Sequence, residues 1–74
     1  MTFEEFKEYI FKKVEDAPKC LRKGQAIFNW VDEHYGDTAR IVQFEYGIDC
    51  FYVDKHIDEF LEKIFELIQN PTNL

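Results

Sequence analysis

Seventy-four residues with eight Phe, four Tyr and one Trp make a single small domain, residues 1–74, that must fill its core with large rings. Nine basic against fifteen acidic residues give a net charge of -6, which disfavours direct binding to nucleic acid phosphates or an anionic membrane and points to a basic protein partner. No apolar run approaches the roughly 20 residues needed to cross a bilayer, and Met1-Thr2-Phe3-Glu4-Glu5 lacks an export pattern, so a cytoplasmic protein with Cys20 and Cys50 as free thiols is expected.

The first helix is expected near residues 3–16. Thr2 and Glu5 have the spacing of a capping box, and Phe3, Phe6, Ile10, Val14 and Ala17 recur every three or four residues. Glu4 and Glu5 at its start and Lys12 and Lys13 near its end suit the helix dipole. Pro18 is the stop. A second helix near 20–35 carries Leu21, Gly24, Ile27, Phe28, Val31 and Tyr35 on one side and ends at Gly36. Gly24 sits inside that apolar side. A glycine there costs about 1 kcal/mol against alanine, which makes sense if another backbone approaches closely.

Asp37 is the expected cap of a short helix near 37–43. Val42, Phe44, Tyr46 and Ile48 also alternate with polar residues and glycine, the period of a strand, so a short hairpin over 41–53 is the alternative. An isolated hairpin is weak in water unless it lies on the helices. Asp54 is a cap candidate for the last helix, near 54–69, whose apolar face holds Ile57, Phe60, Leu61, Ile64, Phe65, Leu67 and Ile68. Glu59 and Lys63 are spaced to pair on its outer face. Asn70-Pro71 ends it and 71–74 is expected to fray. The fold class is therefore all-α: three longer helices and one short one around Phe6, Ile10, Phe28, Val31, Phe60 and Ile64, with an aromatic loop before the last helix. The alternative is α+β with the hairpin at 41–53.

Chemistry is sparse. Cys20, His34, Cys50 and His56 are the softest zinc ligands present, but their spacing is not that of a structural zinc site, and no metal or other cofactor is expected. No serine occurs, and no oxyanion donor can be named for a Cys/His pair. Glu45, Asp49, Asp54 and Asp58 crowd the aromatic loop without the spacing of a calcium loop, so helix caps and a solvated surface compete with cation binding as their role. Gln25 and Asn29, four apart, can hydrogen-bond the backbone of the loop, or form a polar binding site with Tyr52 and Trp30.

Two segments resemble a known group. Arg22-Lys23-Gly24-Gln25-Ala26-Ile27-Phe28-Asn29 and Asp49-Cys50-Phe51-Tyr52-Val53-Asp54, followed by Ile57, Phe60 and Leu61, look like the R-x-G-Q-x-x-F-N and D-P-F-Y-x-D segments of small bacterial and phage-encoded helical proteins. The resemblance implies a helical fold and no particular activity. Cys50 stands where that group usually has proline, and Val42-Gln43-Phe44 where it has an Arg-Gly turn.

Charge is uneven along the chain. Residues 12–23 hold five basic against two acidic residues, a local +3 that leaves -9 for the remainder. The expected function is not enzymatic: an acidic interaction module of phage or mobile-element type. It binds a basic partner through Gln25, Asn29, Trp30, Asp32, Glu33 and Tyr52, with a homo-oligomer as a variant. The alternative is a small-ligand or metal-assisted enzyme using the acids near the loop. A chain this short leaves little room for a pocket of roughly 300 Å³, which favours the first reading.

Overall fold

The computed structural model describes residues 1–69. Among these residues the order is α1 (Phe3–Lys13), α2 (Lys23–His34), α3 (Thr38–Glu45), a 3-10 turn (Asp54–His56) and α4 (Ile57–Gln69), with no strand. The fold is thus the expected all-α class, and the hairpin at 41–53 is not formed. The Asn70-Pro71 stop and the frayed tail lie outside the described residues.

The capping box at the start of α1 forms as expected: the Thr2 N–H donates to Glu5 Oε1 at 2.7 Å and the Glu5 N–H to Thr2 Oγ1 at 3.2 Å. Those hydrogen bonds favour the ionised carboxylate and hold the Glu5 pKa below its ordinary value. α1 ends at Lys13, three residues before the expected 16. The Glu15 N–H turns back to the Lys12 carbonyl and the Ala17 N–H to that of Val14, so tight turn bonds replace the helical ladder ahead of Pro18. A further turn closes from the Leu21 N–H to the Pro18 carbonyl.

α2 consequently begins at Lys23, not near 20. Arg22 is extended (φ -71°, ψ 160°), and Gln25 folds back so that its Oε1 accepts the Arg22 N–H at 3.0 Å. Leu21 fits the helical apolar spacing but lies outside the helix. α2 ends at a turn in which Gly36 takes φ +61°, a left-handed value that glycine adopts without strain. Asp37 occupies the position before α3 but makes no capping bond; instead the Thr38 hydroxyl donates to the Tyr35 carbonyl at 2.8 Å.

α3 runs to Glu45, two residues beyond expectation. Gly47 at φ +69° then turns the chain, and the Ile48 N–H reaches the Val42 carbonyl at 3.2 Å. Only Ala39 and Val42 of α3 are buried, at the three-residue step of a helix, so the period-two pattern is a coincidence of composition. The 3-10 turn takes the place of the first turn expected for the last helix, and α4 proper buries Ile57, Phe60, Leu61 and Ile64.

Phe6, Ile10, Phe28, Val31, Phe60 and Ile64 are all buried and belong to one core cluster. Phe65 of α4 meets Phe3 and Phe6 of α1 at 6.0 and 5.2 Å between ring centroids. Lys7 reaches Asp58 at 2.9 Å across the same interface. Lys63 pairs with Glu66 at 3.1 Å and lies over the Tyr46 ring, rather than pairing with Glu59.

Candidate functional site

The loop from Ile48 to Val53 connects α3 to the 3-10 turn without regular structure, so its backbone groups need partners. Asp49 satisfies two of them: its Oδ1 accepts the Phe51 N–H at 2.9 Å and the Tyr52 N–H at 3.4 Å, and Gln43 of α3 donates to the same oxygen at 3.2 Å. Arg22, immediately before α2, takes two carbonyls. Its Nη1 donates to the Tyr52 oxygen at 2.8 Å and its Nη2 to the Phe51 oxygen. The planar guanidinium suits this because it presents parallel N–H groups in a fixed fork.

Asp54 closes the arrangement from the other direction. Its Oδ1 accepts the Gly24 N–H at 3.1 Å, one of the N–H groups that the start of α2 leaves open. Asp54 thus caps α2, whereas the sequence pointed to it as the cap of the last helix. Between them the Cys50 side chain is fully buried and its thiol donates to the Gly24 carbonyl at 3.4 Å. Burial, aided by the nearby charges of Asp49 and Asp54, pushes the thiol pKa up to about 12. Cys20 is exposed, and both cysteines are unpaired.

The loop is therefore held by Arg22, Asp49 and Asp54, where the residue types pointed to Gln25 and Asn29. Gln25 is spent on the Arg22 N–H, and Asn29 is exposed. Arg22→Lys keeps the charge and loses the fork. Its expected result is faster hydrogen exchange at the Phe51 and Tyr52 amides by about tenfold, equivalent to about 1.4 kcal/mol, with the α1 and α4 amides unchanged. Unchanged exchange in the loop would show that the fork does not hold it.

The clamped loop presents a groove of about 450 Å³ lined by Phe28, Gln43, Phe44, Asp49, Phe51 and Tyr52. Phe28 and Phe51 meet edge to face at 5.5 Å, and Phe28 rests on buried Phe60 at 5.7 Å. The two large outer side chains are left in solvent: Phe44 is 77% and Tyr52 67% exposed. The expectation that so short a chain leaves little room for a groove of this size is not met.

The other residues expected at the site lie elsewhere. Asn29, Trp30 and Glu33 line a separate groove of about 280 Å³ with no residue in common with the first. Trp30 is half-buried, stacked on His34 at 4.2 Å between centroids and 6.0 Å from Tyr9. Asp32 is joined to Arg40 of α3, Nε to Oδ1 at 3.2 Å. Tyr52 alone of the six is part of the aromatic groove, and Phe44 and Phe51 are the members that sequence reasoning missed.

Of the acids around the loop, Asp49 and Asp54 serve backbone N–H groups, Asp58 pairs with Lys7, and Glu45 is exposed. Among the described residues no group of three or more His, Cys, Asp or Glu side chains is placed to hold a metal ion, and no helix is long and apolar enough to cross a membrane. No protein-family model, curated protein or solved structure matches the chain.

Proposed function

We propose that this chain is a cytoplasmic protein-interaction module, of the phage or mobile-element type its two segments resemble, that captures a partner through the Phe44–Tyr52 groove. The observation that carries the reading is the exposure of Phe44 and Tyr52 in the lining of a groove that also includes Phe28 and Phe51, both packed to the core. Removing an exposed Phe from solvent yields roughly 2 to 3 kcal/mol that folding has left unused. Aromatic side chains around a rigid apolar floor are the usual anchors of an interface.

The surplus of acidic charge selects a partner with a basic segment beside its apolar anchor. Outside residues 12–23 the chain carries -9, and Lys7, Arg40 and Lys63 are already matched to carboxylates. Association should then slow markedly between about 50 and 500 mM salt, as the screening length shrinks well below the size of the protein.

The test is a pull-down of the native partner with the intact chain, repeated with Phe44→Ala/Tyr52→Ala. Each anchor lost from an interface centre costs about 2 kcal/mol or more, so affinity should fall by well over tenfold. Thermal stability should hold to within about 0.5 kcal/mol, because exposed side chains contribute little to it. Equal capture by the double variant would overturn the reading. If the wild type alone sediments as a dimer and the double variant as a monomer, the groove's occupant is a second copy.

A further inference from the structure

The turns that carry the chain from α1 to α2 leave a third groove, of about 530 Å³, between the end of α1, the connecting segment and the start of α2, continuous with the Trp30 groove through Val14, Ala17, Pro18, Leu21 and Ala26. Phe11, Val14, Leu21 and Ala26 form its apolar wall, and Lys12, Lys19 and Lys23 stand around it. The Lys23 ammonium lies 3.9 Å from the centroid of the Phe11 ring, which holds a cation directly above that wall. This groove shares no residue with the Phe44–Tyr52 groove, so its occupant does not depend on the partner assigned to that one.

Three of the five basic residues that are in no ion pair among the described residues line this groove, Lys13 and Lys55 being the other two. Lys7, Arg40 and Lys63 each have a carboxylate within 3.2 Å, whereas none of Lys12, Lys19 and Lys23 is in an ion pair among the described residues. An acidic molecule has placed three unmatched cations around an apolar concavity. The complementary occupant carries carboxylates beside an apolar ridge, which is what one face and the flank of an amphipathic helix present.

Glu8 and Glu15 line the same groove and repel a continuous anionic surface, so discrete carboxylates fit better than a nucleic acid or a lipid bilayer. A second copy of the chain is a poor occupant, because its acidic helix α4 already spends its apolar face, Ile57, Phe60, Leu61 and Ile64, on its own core.

We propose that this groove docks an acidic amphipathic helix of another protein, with apolar side chains against Phe11, Val14 and Leu21 and carboxylates on Lys12, Lys19 and Lys23. The chain then has two faces of opposite preference, one for a basic partner and one for an acidic one.

The probe is a fluorescein-labelled helical peptide of about 14 residues, four turns, with Leu at steps of three and four and Glu beside them. Anisotropy is read against the full chain at about 0.15 M salt, where distant charges are screened. Saturable binding is expected, with at least tenfold weaker binding of the same peptide carrying Gln for Glu. Lys12→Glu/Lys19→Glu should lose at least tenfold with an unchanged circular dichroism spectrum, since both side chains project into solvent and hold no other element. Phe44→Ala/Tyr52→Ala should bind the peptide as the wild type does.

Equal binding of the Glu and Gln peptides, full binding by the lysine double variant, or no binding at about millimolar peptide would overturn the proposal. So would loss of binding in the Phe44/Tyr52 variant, which would place the peptide in the other groove. Vesicles of phosphatidylglycerol that bind the chain without competition from the peptide would assign the lysines to anionic lipid instead.

Discussion

Gly24→Ala is expected to cost a large share of the stability of this chain. A Cβ built at Gly24 would sit 2.0 Å from the Cys50 carbonyl oxygen, 3.1 Å from its carbon and 2.6 Å from Asp54 Oδ1. Helix propensity alone predicts the opposite sign, a gain of about 1 kcal/mol. The clash decides the outcome because the atoms met first are backbone and cannot swing aside. Cys50 is fully buried and its thiol bonds to the Gly24 carbonyl, while Asp54 is fixed by the Gly24 N–H itself. Relief requires the loop to leave α2, which breaks both bonds and exposes Cys50.

We expect a loss of at least about 3 kcal/mol, against a total of roughly 4 to 11 kcal/mol for a chain of this length. Urea denaturation measures the loss, and thiol labelling locates it. In the wild type at mildly alkaline pH, Cys20 should react and Cys50 should not, since burial both shields the thiol and keeps it protonated. In the variant both should react. A Gly24→Ala protein with the wild-type urea midpoint and a protected Cys50 would refute the close approach.

The close approach at Gly24 was legible in the sequence because a glycine on the apolar side of a helix forfeits both packing and helix propensity unless a neighbouring backbone needs the space. Its partner was not, since nothing in the residue types of 48–54 states which carbonyl will lie against it. The helices themselves were legible through their period: α4 and α2 repeat large apolar residues every three or four positions over three turns. Their ends were not. Leu21 continues the apolar period of α2 one step too far, and only the Gln25 side chain folding back onto Arg22 reveals the true start. At Val14 the spacing likewise promises helix, and the turn ahead of Pro18 overrides it.

The aromatic groove was hidden by the same ambiguity. Phe44 falls between polar neighbours, and the alternation of 42, 44, 46 and 48 reads as the inward face of a strand. Once Ala39 and Val42 are the buried pair, a helix turns Phe44 about 200° from Val42 and out into solvent. Polar residues misled in a complementary way. Gln25 and Asn29 have amides able to bond any nearby loop, yet the loop is held by charged groups, Arg22 and Asp54, that composition assigns to the surface. Both are about half exposed, so their ion pair at 3.9 Å adds little, and the hydrogen bonds to backbone carry the effect.

Phe60→Ala tests whether the core and the groove are one mechanical unit. Phe60 is fully buried on α4, where the chain packs α4 against both α1 and α3. Deleting a buried Phe side chain costs about 3 to 5 kcal/mol, the transfer of the ring plus the cavity it leaves. For a domain of this size each kcal/mol moves Tm by roughly 4 to 8 °C, so a fall of about 12 °C or more is expected. The loss should not stay in the core. Phe60 supports Phe28, and Phe28 is the floor on which Phe51 rests. Binding at the Phe44–Tyr52 groove should therefore weaken in Phe60→Ala even well below its Tm, where the chain is still folded. Phe60→Leu fills more of the space and should recover much of both properties. If Phe60→Ala lowers Tm as expected but binds the partner with wild-type affinity at low temperature, the groove is shaped by the Arg22 fork and Asp49 alone, and its floor does not depend on the core.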